Sequence, residues 1–94
     1  MLFRSGIDGQ DGYATTIMPG FWLADRAMSP FPRDLGQWRA VIREMAASED
    51  PFQLVVSFNE WGEGTAVESA SQWATPSGQG EYLDALHEEL SDLP

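Results

Sequence analysis

Two short apolar runs and two helical stripes dominate the pattern of hydrophobic positions along the chain. Residues 13–18 (YATTIM) have strand composition and are stopped by Pro19-Gly20. Residues 52–58 (FQLVVSF) are short and rich in β-branched and aromatic side chains, which predicts an interior strand rather than a helix. Between them Leu35, Trp38, Val41, Ile42 and Met45 recur at helical spacing, with Asp34 as N-cap, Gln37 in the capping-box position and an end near Ser48. A last helix begins near Gly80 and turns Tyr82, Leu83, Leu86 and Leu90 to one side. The order strand, helix, strand, helix predicts parallel strands joined by a right-handed crossover.

The segments between these elements read as loops. Residues 6–12 (GIDGQDG) are rich in glycine and acid, residues 21–33 are polar and proline-marked, and residues 65–79 carry Trp73, Pro76 and Gly78. Asp8 and Asp11 superficially suggest a calcium loop. The alternating ligand spacing and the distal Glu are missing, so a structural loop is the expectation. Two βα units cannot close a barrel, and a two-stranded parallel sheet leaves apolar edges and faces uncovered. The fold class expected is therefore α/β. Residues 1–94 would form one partial domain, the last two β/α units of a (β/α)8 TIM barrel, with strand seven at 13–18 and strand eight at 52–58. The N-terminal part of the barrel would be its missing partner.

Charge narrows the partners. Fifteen acidic residues against five Arg and no Lys give a formal charge of −10, which leaves no basic patch for phosphates or anionic lipid. Nucleic acid and membrane are therefore not expected as partners. An apolar fraction of 43% with four Trp and five Phe nevertheless indicates a folded chain rather than an acidic tail. Without cysteine there is neither a disulfide framework nor a thiolate metal site. The N-terminus lacks the apolar core of a signal peptide, and no stretch has the length of a transmembrane segment.

Candidate chemistry concentrates in residues 57–65 (SFNEWGEGT), where polar side chains appear abruptly after the second apolar run. Loops leaving the carboxyl ends of parallel strands carry active sites, so Asn59, Glu60 and Glu63 stand in a favoured position. Paired carboxylates are the minimum equipment for glycoside hydrolysis, one as acid toward the leaving oxygen and the other as base or nucleophile. The residues alone do not say which Glu takes which part. Trp61 and Trp73 are either packing aromatics or stacking walls for a sugar ring. Glu68 faces the same cleft or solvent. Arg26 and Arg33 are candidates to hold a sugar or orient a carboxylate, with surface ion pairing the commoner fate, and His87 reads as a surface residue.

The string SFNEWGEGTAVESA, with the later GEYLDALHEEL, resembles the carboxyl-terminal signature of glycoside hydrolase family 99 and its bacterial relatives, and Met18-Pro19-Gly20-Phe21 resembles the end of their seventh strand. The likeness covers about the last 80 residues and is concentrated in 57–70. It implies a (β/α)8 barrel and a retaining glycosidase acting on α-linked mannan- or glucan-type polysaccharide or glycan, without metal or other cofactor. Under it Glu63 matches the general acid/base and Glu60 the base for the sugar 2-hydroxyl, whose oxygen attacks the anomeric carbon to give a 1,2-anhydro sugar. Asn59, Trp61, Trp73 and Glu68 would then contact the substrate. Gly62 stands where endo-mannosidases of that family carry histidine. The alternatives are a carbohydrate-binding barrel protein without turnover and an inactive truncated fragment.

Overall fold

A computed structural model describes residues 6–10, 12–21 and 32–91 of the chain. Strands β1 (Ile7–Gln10) and β2 (Ala14–Ile17) are followed by helix α1 (Leu35–Ser48), strand β3 (Phe52–Val55), single 3-10 turns at Trp61–Glu63 and Ser71–Trp73, and helix α2 (Glu81–Leu90). The three strands form one sheet in the order β1-β2-β3.

The strand-helix-strand core follows the sequence pattern. Strands β2 and β3 pair in parallel, from Ala14 opposite Phe52 to Ile17 opposite Val55. Helix α1 starts where the Asp34 carboxylate accepts the Gln37 backbone N–H at 2.8 Å, satisfying one of the donors that a helix N-terminus leaves without an internal partner. It stops at Glu49, whose N–H bonds the Ala46 carbonyl and whose left-handed backbone (φ 54) turns the chain out of the helix. The predicted stripe Trp38, Val41, Ile42 and Met45 is buried and packs with Ile17, Val67, Tyr82 and Ala85 into one core. Helix α2 closes this core, and the Trp38 indole N–H donates to the Tyr82 carbonyl at 3.0 Å, so the bulkiest core side chain leaves no buried donor unpaired. No helix among the described residues is long and apolar enough to cross a membrane.

The barrel expectation is corrected by the sheet. Residues 7–10 form a strand, not a loop, and it lies antiparallel to β2 with Ile7 opposite Ile17 and Gln10 opposite Ala14. An antiparallel neighbour on β2 is incompatible with reading β2 and β3 as strands seven and eight of an all-parallel barrel. What the chain forms is a small open three-stranded sheet with two helices. The missed signal is the Asp11-Gly12 dipeptide between two short runs, a hairpin turn sequence, and Gly12 adopts the positive φ of 77 that such a turn needs.

The second strand is also shorter and more exposed than its composition predicts. It spans Phe52–Val55 rather than 52–58, and Phe52 and Leu54 are exposed. It is an edge strand: β2 pairs with one side of it, and no strand among the described residues pairs with the other. Apolar composition marks a strand correctly but reports burial only when sheet neighbours cover both faces.

Candidate functional site

After β3 the chain makes a loop whose base is laced by backbone hydrogen bonds. Ser57 donates to the Thr65 carbonyl at 3.0 Å, Val67 to the Ser57 carbonyl at 3.1 Å, and Glu68 to the Phe58 carbonyl at 2.9 Å. Thr65 is fully buried at this base, its hydroxyl 2.7 Å from that of Ser57, so both side chains find partners where water is excluded. The Ser57 hydroxyl also accepts the Glu60 N–H at 3.0 Å, which sets the entry to the 3-10 turn at Trp61–Glu63. Gly64 ends that turn in the left-handed region at φ 67, with its N–H on the Trp61 carbonyl. The loop therefore presents Asn59, Glu60, Trp61 and Glu63 at the surface, all four exposed.

Trp61 is the organised side chain of this loop. Its ring stacks on Trp73 with centroids 5.7 Å apart and an interplanar angle of 16°. Its indole N–H donates to a Glu68 carboxylate oxygen at 3.0 Å, while the Trp73 indole N–H donates to the Glu68 backbone carbonyl, also at 3.0 Å. One residue thus fixes the rotation of both rings, and Trp61 still remains 48% exposed. A half-exposed Trp held this firmly has lost its rotamer entropy before any ligand arrives.

Behind the stack lies Arg33. Its guanidinium carbon sits 4.1 Å from the ring centroids of both Trp73 and Tyr82, which meet edge to face at 5.1 Å. Its terminal nitrogens donate to the Gly64 carbonyl at 3.0 Å and the Ala66 carbonyl at 2.6 Å. The cation thus binds the motif loop to the aromatic cluster through charge-assisted hydrogen bonds and two ring faces at once. Its buried Nε carries no partner. Gly20 backs onto it closely: a Cβ at position 20 would lie 2.6 Å from the Arg33 Cγ. Surface ion pairing was the expected fate of Arg33, and this inserted position corrects it. Arg26 lies outside the described residues.

The structure therefore brings Trp61, Trp73 and Glu68 together, seats the candidate Arg33 behind them, and adds Tyr82 and the Ser57-Thr65 pair, which local spacing does not identify as belonging to the site. Glu60 stands at the N-cap of the 3-10 turn that Glu63 ends, and both are on an open loop. Cavities of about 390 Å³, lined by Ile7, Gly9, Thr15, Glu44, Ser48 and Asp50, and of about 440 Å³, along Leu83, Leu86, His87 and Leu90, include none of the loop's residues. Among the described residues no three His, Asp or Glu side chains converge as a metal-binding set. Asp8 lies in β1 rather than in a loop, and His87 is exposed on α2 as expected.

No protein-family model matches the chain, and no curated protein or solved structure matches it either. The resemblance to glycoside hydrolase family 99 is thus carried by a short string alone and is corrected. With it go the retaining mechanism and the enzyme assignment that rested on it. The physical reason is the open sheet: a glycosidase needs its carboxylates to face each other across an enclosed bond, whereas here they project from one exposed loop beside a three-stranded edge.

Proposed function

We propose that the chain binds carbohydrate without hydrolysing it, with the outer face of Trp61 as the seat for a sugar ring. The observation that supports this is the Trp61 platform itself, half exposed, stacked on Trp73 and locked by Glu68. A pyranose has a C–H face that gains from contact with an indole ring, and a rigid ring gives up little entropy on contact. Asn59, Glu60 and Glu63 stand exposed on the same loop and supply amide and carboxylate groups for the sugar hydroxyls. A single platform on an open surface corresponds to a weak site, with a dissociation constant on the order of 1 mM.

Calorimetric titration with mannan- and glucan-type oligosaccharides, alongside Trp fluorescence, tests the proposal. Saturable binding that Trp61→Ala weakens by roughly tenfold or more, equivalent to about 1.4 kcal/mol, is the expected result. Absence of binding to either series, or equal binding by Trp61→Ala, would overturn it.

A further inference from the structure

Among the described residues no strand pairs with the outer side of β3, and we infer that it is a docking edge for an extended, basic polypeptide segment that adds to the sheet as a fourth strand. The Phe52 N–H bonds the Tyr13 carbonyl and the Val56 N–H bonds the Ile17 carbonyl, so even-numbered residues of this strand serve the ladder with β2. In a parallel ladder the intervening residues turn their N–H and C=O groups the other way. Gln53 and Val55 therefore present main-chain donors and acceptors to the open edge.

The side chains add an apolar strip to these groups. Thr15 and Ile17 of β2 face α1, through the Thr15 hydroxyl bond to Ser48 and the packing of Ile17 in the core. Phe52 and Leu54 align with Ala14 and Thr16 in the register and so lie on the opposite face. They are 50% and 49% exposed, and Tyr13 rests against Phe52 at 5.0 Å with 63% exposure. Edge strands are normally blunted by charge, proline or a bulge. The sequence Phe52-Gln53-Leu54-Val55 contains no charge and no proline.

Charge chooses the occupant. Glu49 and Asp50 precede the strand, and exposed Glu60 and Glu63 follow it. The arginines among the described residues are committed elsewhere, Arg33 to the motif loop and the aromatic rings, Arg39 to Glu88 and Glu89, and Arg43 to Glu89. A second copy of the chain would bring a further formal charge of −10 to this edge, whereas a strand with Lys or Arg at its flanks and alternating apolar side chains meets both the strip and the acids.

The full chain is titrated at low salt with a capped hexapeptide of alternating valine and arginine while amide hydrogen exchange is followed residue by residue. Two comparison peptides replace a central residue by proline or every arginine by glutamate. Slowing of exchange at Gln53 and Val55 by about tenfold or more with the basic peptide, weaker slowing in Leu54→Lys, and no slowing with either comparison peptide is the expected result. Unchanged exchange at roughly 1 mM peptide, the weak end of specific association, would overturn the inference. So would equal slowing by the proline peptide, which marks plain charge attraction, or concentration-dependent protection without peptide, which marks a second copy on the edge.

Discussion

Arg33 is the residue on which the geometry of the motif loop depends, because no other described side chain touches the loop carbonyls and both rings behind them. Lysine in its place keeps the charge but cannot span Gly64 and Ala66 while lying flat on Trp73 and Tyr82. Arg33→Lys is expected to lower stability by about 1.5–3 kcal/mol in urea denaturation, the range for hydrogen bonds to a charged group, and to blue- or red-shift Trp emission as the Trp61-Trp73 stack loosens. Unchanged stability and emission would contradict this role. Asp84 offers a second residue-scale test. Hydrogen bonds from the Ser77 and Thr75 hydroxyls hold its carboxyl below the ordinary aspartate range. A carboxylate depressed in the folded state contributes stability above its unfolded value of about 3.9, and that contribution is lost as pH falls through the folded value. The melting temperature of Asp84→Asn should therefore fall less steeply than that of the parent between about pH 4 and pH 2, and identical slopes would refute the assignment. Trp61, Trp73 and Glu68 were legible in the sequence as candidates because Trp and Glu beside an apolar run attract the question of a ligand. Arg33 was legible only as a candidate sugar or carboxylate contact, and its seat behind the loop was not, since its partners Trp73 and Tyr82 come from distant parts of the chain and only the folded core brings them to it.

At the scale of elements, helix α1 was readable nearly to the residue, since its cap, stripe and end are all local features. Asp34→Ala should cost about 1 kcal/mol of thermal or urea stability by removing the cap acceptor. At the other end Glu49 occupies the left-handed region without being glycine. Glu49→Gly is expected to stabilise the fold by roughly 0.5–1 kcal/mol, and a loss of stability would show that the Glu49 side chain has a compensating contact. Strand β1 was hidden by its glycines and acids, which weigh toward loop in any local reading, while its stability as a strand comes from pairing with β2. The start of α2 shows a related effect. Gly80 caps it at φ 88, and a Cβ there would stand 3.0 Å from the Trp73 ring. The sequence marks this glycine as a helix boundary, yet its closeness to the stacked indole is visible only in three dimensions.

Taken whole, the molecule is an open sheet with a core on one face, an acidic surface and a rigid aromatic platform at the tip of the loop after β3. The parallel strand pair and its connecting helix followed from the hydrophobic pattern, whereas the barrel was inferred from the uncovered faces of two βα units and reinforced by the motif string, and it did not survive the antiparallel β1. The exposed edge of β3 has the same origin, because composition alone cannot distinguish a strand covered on both sides from one that awaits a neighbour. The central claim concerns the Trp61 platform, and it is tested most directly by titrating the full chain with mannan- and glucan-type oligosaccharides in parallel with Trp61→Ala. Saturable binding by the parent, weakened by roughly tenfold or more in the variant and unaccompanied by release of new reducing ends, is the predicted result. No binding to either series, binding indifferent to Trp61, or turnover of the oligosaccharide would contradict the account.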